Sequence, residues 1–246
     1  MGKQKITWIG HGSWKYVTAS GTVIYIDPWL DDNPTCKIKL EDTKDADIVC
    51  VTHGHSDHIG TGDAIDIALQ ANAVFVSLPE ICVYASRHGI PYDANGGAVN
   101  IGGSVKIKDC RIHCVEAQHA SDIWGYEFLK DGTVIPGSGC CGYVIESEGS
   151  EPVYFAGDTG VFSDMKLIAE LYRPTVAVLP VGDKYVMGPR EAALAAEFIN
   201  AKYLIPGHFG TTPEIEQDMD DFKMKVSVRA PGTTVEVLDP GESFEF

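Results

Sequence analysis

Thr52-His53-Gly54-His55-Ser56-Asp57-His58-Ile59-Gly60 packs three imidazoles and a carboxylate into six residues, directly after the apolar run Asp47-Ile48-Val49-Cys50-Val51. That run is short, β-branched and flanked by turn formers, so it reads as a buried strand delivering the cluster to the end of a sheet. Imidazole suits zinc, copper, iron or nickel, and an added carboxylate extends the choice to harder ions such as manganese. His53 and His55 alternate along an extended segment, which lets both rings point to one side. Adjacent Asp57 and His58 diverge and can serve a second ion. The alternative is a loop whose histidines merely precede a helix, with Asp57 capping residues 59–69. The density of the cluster and its strand–loop–helix setting favour metal binding.

The missing ligands must come from the rest of the chain, and it offers isolated candidates at the ends of apolar runs. His119 follows the alternating segment 110–117, Asp158 follows Pro152-Val153-Tyr154-Phe155-Ala156-Gly157, and His208 follows Tyr203-Leu204-Ile205-Pro206-Gly207. Taken alone, each is an ordinary turn residue. Their recurrence at strand ends, in a chain with only eight histidines, is what a site assembled at one sheet edge requires.

The ordered set His53-x-His55-x-Asp57-His58, His119, Asp158 and His208 resembles the metallo-β-lactamase superfamily, and the resemblance covers nearly the whole chain. Asp27-Pro28-Trp29-Leu30 through Asn33-Pro34, Ala156-Gly157-Asp158-Thr159, Met187-Gly188-Pro189 and Pro206-Gly207-His208-Phe209 are similar to a family of small metal-dependent hydrolases. Its neighbouring branches include ascorbate-6-phosphate lactonases and N-acylphosphatidylethanolamine phospholipase D. The resemblance implies an α/β fold, the four-layer αββα sandwich, with two divalent metal ions at one edge. Zinc is the default and manganese the alternative. By the same resemblance His53, His55 and His119 hold one ion, Asp57, His58 and His208 the other, and Asp158 bridges them.

At 246 residues and 44% hydrophobic content the chain can bury a substantial core, and one layered domain over residues 1–246 is the expectation. A net charge of −16 weighs against nucleic acid and anionic membrane surfaces as partners, leaving a small-molecule substrate. The seven cysteines, scattered through strand-like segments, read as buried thiols in a reducing compartment. With no signal peptide and no apolar run long enough to span a bilayer, a cytoplasmic location is expected. The oligomeric state stays open, a homo-oligomer included.

Strand-like runs occupy residues 6–9, 14–18, 23–26 and 48–51, with 74–77 between helical patterns at 62–70 and 79–88. A strand-rich block at 99–116 precedes strands at 143–146, 153–155, 176–180 and 203–205, with helices at 163–171 and 189–200. This interleaving suggests two sheets with outer helices. The connection 121–139, carrying Trp124, Tyr126 and Phe128, is long enough to be a substrate wall or else a surface excursion that buries its aromatics.

Two divalent ions bridged by a water would lower its pKa and supply hydroxide for attack on a carbonyl or phosphorus centre. Asp57 is the expected catalytic residue, orienting that nucleophile and relaying its proton. Asp27 either orients a ligand histidine or forms a turn before Pro28. His11, in Gly10-His11-Gly12-Ser13, contacts substrate, supports the ligands, or simply makes a turn. Lys184 in Gly182-Asp183-Lys184-Tyr185-Val186 departs from the family pattern. It either offers a cation to an anionic substrate or points to solvent. Hydrolysis of a lactone or other ester-like carbonyl ranks first, a phosphodiesterase second. A diiron redox or metal-sensing protein ranks last, because the distal ligand is His119 rather than an acidic residue and no flavin-binding domain is present.

Overall fold

The computed structural model describes residues 2–137 and 139–246. Met1 and Ser138, which fall within the expected domain and the long connection, lie outside the described residues. The chain opens with strands β1 (Lys5–Gly10), β2 (Ser13–Val17), β3 (Val23–Ile26) and β4 (Ile48–Cys50). Helices α1 (Ser56–Ile59) and α2 (Asp63–Ala71) lead to β5 (Val74–Val76), which is followed by α3 (Pro79–Ser86). Next come β6 (Ser104–Ile107), β7 (Cys110–Glu116), α4 (Tyr126–Asp131), β8 (Cys141–Ser147) and β9 (Val153–Phe155). Helix α5 (Met165–Tyr172), β10 (Val176–Pro180), α6 (Pro189–Ile199) and β11 (Tyr203–Gly207) continue the alternation. Helix α7 (Met219–Arg229) and strands β12 (Thr234–Val235) and β13 (Ser243–Glu245) finish it.

The strands form two sheets, ordered β13-β1-β2-β3-β4-β5 and β12-β11-β10-β9-β8-β7-β6. Each combines an antiparallel meander with a parallel portion: β3, β4 and β5 run parallel in the first, and β9, β10, β11 and β12 in the second. The central parallel strands β4 and β10 are buried along their whole length. They are accordingly continuous apolar runs, as strands covered on both faces must be. By contrast β7, Cys-Arg-Ile-His-Cys-Val-Glu, largely alternates buried with more exposed residues.

The first core layer lies between the sheets, where Trp14, Ile24, Ile48 and Cys50 meet Cys114, Tyr143, Phe155 and Ile205. Helices α2 and α3 cover the outside of the first sheet through Ile65, Ala68, Ile81 and Tyr84. Helices α5, α6 and α7 cover the second through Met165, Ile168, Ala192, Ala196, Phe222 and Val226. The layers are thus α, β, β and α. At one edge the sheets approach closely enough that a Cβ on Gly207 would lie 2.5 Å from Trp14 Cζ2. A side chain there would pry the two sheet ends apart just before His208.

Among the elements not anticipated from sequence are helix α7, strand β13 and helix α4. Helix α7 buries only Phe222 and Val226 of its face, a weak periodic signal, although Asp218 caps it by accepting from the backbone N–H of Asp220 and Asp221. Strand β13 exists through its pairing with β1, a partner more than 230 residues away, which no local pattern reveals. Helix α4 lies inside the long connection 121–139, to which no helix was assigned.

Candidate metal centre

The first sheet delivers one half of the site. In the parallel register of β3 and β4, Ile26 is opposite Cys50, so Asp27 and Thr52 emerge side by side from the ends of these strands. Asp27 accepts the Thr52 backbone N–H at 2.7 Å and the Thr52 hydroxyl at 2.6 Å. His53 Nδ1 lies 3.1 Å from that hydroxyl oxygen, and His58 Nδ1 lies 2.9 Å from Asp27 Oδ2. The buried Asp27 carboxylate therefore sets His58 directly, and His53 through Thr52, to carry a proton on Nδ1. Their Nε2 lone pairs are left facing the cluster. Burial raises the Asp27 carboxyl above the usual range, while His58 and Thr52 pull it back.

The second sheet supplies the other half. His119 follows β7, Asp158 follows β9, and His208 follows β11 at a positive φ of 55°. Asp158 Oδ2 lies 3.2 Å from His58 Nε2, 3.1 Å from His208 Nε2, 3.6 Å from His119 Nε2 and 4.0 Å from His53 Nε2. One carboxylate oxygen thus stands among imidazoles from both sheets. On one side of it, His53 Nε2 and His55 Nδ1 face each other at 3.0 Å, and with His119 they make a compact three-histidine group. On the other side, donor atoms of His11, Asp57, His58 and His208 all lie within 4.8 Å of one another.

These residues fit bound cations. His58 Nε2 and both ring nitrogens of His208 are buried without a hydrogen-bond partner. Each such orphan costs about 1–3 kcal/mol unless something fills the space between them. Burial alone would raise the Asp57 and Asp158 carboxyls, but the neighbouring histidines, His58 and His11 for Asp57 and His208 and His58 for Asp158, hold both well below the ordinary range. Burial works against protonated His208 as well, yet Asp158 and Asp57 push it up to about 9. This is a field that attracts positive charge. His53, pushed down by burial and then by His58, presents a neutral ring suited to ligation.

The structure brings all seven expected ligand residues together and puts Asp27 behind them. Asp57 is the most open carboxylate of the group, its side chain 31% exposed. Trp124 packs against His55 with ring centroids 5.1 Å apart and stacks on Phe128 at 4.8 Å. It is held there because its backbone N–H donates to Gly54 O at 2.7 Å.

Three expected substrate contacts need correction. Tyr126 donates its hydroxyl to Asp66 at 2.8 Å and packs against His88 with the rings tilted and centroids 4.5 Å apart, so it anchors α4 to the helical layer instead of facing the cluster. Lys184 is exposed, with Nζ 5.0 Å over the Tyr185 ring, and its ammonium stays in solvent. His11 is 5% exposed with both ring nitrogens hydrogen-bonded to protein, which leaves no atom for substrate. Sequence reasoning missed Thr52 and Thr211. Thr52 could have been noticed as the first residue of the cluster, whereas nothing local marks Thr211.

The described residues contain no helix long and apolar enough to cross a membrane. Residues 5–208 match the model of the beta-lactamase superfamily domain. The chain is 44% identical to a UPF0173 metal-dependent hydrolase of Methanopyrus kandleri, with 98% of this chain and 99% of the relative covered. It is 40% identical to another from Methanosphaera stadtmanae, covering 98% of each. Among solved structures, a metallo hydrolase from the hyperthermophilic archaeon Ignicoccus hospitalis is 36% identical, with a TM-score of 0.82 over 99% of this chain and 98% of that one. With the fold, the clustered histidines and these relatives all in agreement, the chain belongs to the metallo-β-lactamase superfamily, among its UPF0173 metal-dependent hydrolases.

Proposed function

We propose that this protein is a dinuclear metal hydrolase acting on a lactone or other ester-like small molecule, with zinc as its metal and manganese as the alternative. The observation that carries the reading is the position of Asp158 Oδ2, within 3.1 to 4.0 Å of imidazoles on both sides. His53, His55 and His119 would hold one ion and Asp57, His58 and His208 the other, with Asp158 between. A divalent pair bound there supplies hydroxide near neutral pH. Asp57, open at the mouth of the site, would orient the attacking oxygen and take up its proton. Trp124 and Phe128 offer an aromatic wall beside His55 for the substrate's apolar part.

A carbonyl substrate is favoured over a phosphodiester because no lysine or arginine pairs with Asp57 or Asp158 among the described residues. A phosphodiesterase gains from such cations at the transferring group. The free cysteines, six of the seven buried, are in keeping with a cytoplasmic setting.

Elemental analysis of the purified chain and of Asp158→Ala tests the site. Two ions per chain are expected in the parent and loss of tight binding in the variant. Two ions bound at unchanged affinity by the variant would end the bridging role. Lactones, thioesters, β-lactams and phosphodiesters assayed with zinc- and manganese-loaded protein then test the substrate class, and turnover of phosphodiesters alone would reverse it. Diiron content with visible absorption would replace hydrolysis by a redox role.

A further inference from the structure

His11 stands where turn chemistry alone would not put it. Gly10 pairs with Ser13 across the β1–β2 hairpin, so His11 and Gly12 form its tip, and His11 has a φ of 55°. Glycine or asparagine adopts that conformation at lower cost. The imidazole is buried and doubly bonded: Nδ1 lies 2.8 Å from Thr211 Oγ1, and Nε2 lies 2.9 Å from Asp57 Oδ2. Its carbonyl accepts the backbone N–H of His208 at 2.9 Å and the indole N–H of Trp8 at 2.8 Å. The ring centroid is 3.9 Å from that of His208. A Cβ on neighbouring Gly12 would meet His58 Cε1 at 2.7 Å, so the hairpin tip is seated directly against a second cluster histidine.

From this geometry we infer that His11 is a positioning residue: its Nε2–H donates to Asp57 and fixes that carboxylate's orientation, while the Thr211 hydroxyl donates to Nδ1 and fixes the tautomer. The inference rests on the dinuclear reading for its functional meaning but not for its structural test. The rival role is that of an eighth ligand, since His11 Nε2 belongs to the same group of close donor atoms as Asp57, His58 and His208. The two roles leave different signatures. Within this group of donor atoms His58 Nε2 and His208 Nε2 have no hydrogen-bond partner and remain open to an ion, whereas both nitrogens of His11 are already satisfied. Among the described residues no side chain other than His11 hydrogen-bonds to Asp57, the His208 Nε2 lying 3.7 Å away, so without His11 its partly exposed carboxylate is free to rotate toward water.

Long-range nitrogen–proton correlation spectra of the full chain, labelled at histidine and recorded metal-free and zinc-loaded, read the tautomer directly. The His11 signals are identified by their loss in His11→Gln. A proton on Nε2 is expected in both states. Zinc bonded to Nε2 after loading would overturn the inference in favour of a ligand, and averaged tautomers in the metal-free chain would overturn the clamp. Zinc titration supplies the second readout. His11→Leu should weaken one of the two ions by about 10- to 100-fold, as loss of an orienting partner does. His11→Gln, which keeps an N–H donor of similar reach, should recover most of that affinity. Both ions bound by His11→Leu at the parent's affinity would refute the role. Should His11→Leu misfold, Thr211→Val tests the same chain of bonds. It should yield mixed His11 tautomers and weaken the same ion, and an unchanged spectrum would refute the clamp. A parent protein that binds fewer than two zinc ions would defeat the dinuclear reading, while the metal-free spectrum would still judge His11.

Discussion

Two carboxylates meet the same histidines in different surroundings, and the difference separates ligation from catalysis. Asp158 is 3% exposed and enclosed by rings, whereas Asp57 opens toward solvent and is held from behind by His11. In the proposed mechanism Asp57→Asn retains an oxygen of the same shape but loses the charge that accepts a proton. Its kcat should fall by about a hundredfold or more, with metal content close to the parent's. Equal turnover at full loading would remove the proton relay. Asp27 makes the opposite prediction, because it touches no substrate position and acts through His53 and His58. Asp27→Asn offers one acceptor oxygen to the three donors that the carboxylate now serves. Metal affinity should drop by about 10- to 100-fold. An unchanged zinc titration for Asp27→Asn would show that the histidines hold their tautomers without it.

Helix termini and loop anchors position these residues, and one anchor comes with an electrostatic cost. Asp63, at the first position of α2, accepts the backbone N–H of Leu30 at 2.7 Å and so ties the segment after Asp27 to the helix. Burial raises its carboxyl from 3.8 to about 6, more than these hydrogen bonds lower it. Between those values the folded chain holds a proton that the unfolded chain has released. Stability contributed by this group is therefore present below pH ~4 and lost as pH rises through ~6. Asp63→Asn should raise stability to urea by about 1–3 kcal/mol at pH 7, with little change near pH 3.5. A gain that did not shrink on acidification would point to repacking instead. The connection before β8 depends on Tyr84, whose hydroxyl donates to Glu127 at 2.7 Å and accepts the Tyr126 N–H at 2.9 Å. Tyr84→Phe should expose residues 125–131 to faster hydrogen exchange while leaving metal content unchanged. Protection equal to the parent's would mean that the aromatic packing alone holds α4. Strands such as β9 and β10 were legible in sequence because their apolar runs end sharply at glycine, proline or charged residues. Helix α4 was not, because a single turn and a half with no buried residue has no apolar stripe to read. The cluster histidines were legible for their density, whereas the failure at Lys184 and Tyr126 came from side-chain direction. A position in sequence does not specify whether a lysine turns to solvent or a tyrosine finds Asp66.

At the scale of the whole molecule the cluster is also a clasp. His53, His55, Asp57 and His58 come from the segment after β4 in the first sheet, and His119, Asp158 and His208 from strand ends in the second. The sheets otherwise meet through the apolar layer around Trp14, Tyr143 and Phe155. Ions bound in the proposed manner would join the two sheets at their open edge and offset two carboxylates in a chain of net charge −16. Any ligand that binds only the folded state stabilises it by mass action, about 2.7 kcal/mol at a free concentration one hundred times its dissociation constant. Removal of metal by a chelator should therefore lower the Tm by several degrees. Added zinc should restore it in proportion to the logarithm of free ion concentration, and Asp158→Ala should show neither effect. The comparison with Asp158→Ala separates the clasp from nonspecific binding of zinc to surface carboxylates, which the variant retains. A Tm that does not respond to chelator, in a parent protein shown to have lost its ions, would mean that the inter-sheet core closes the sandwich unaided.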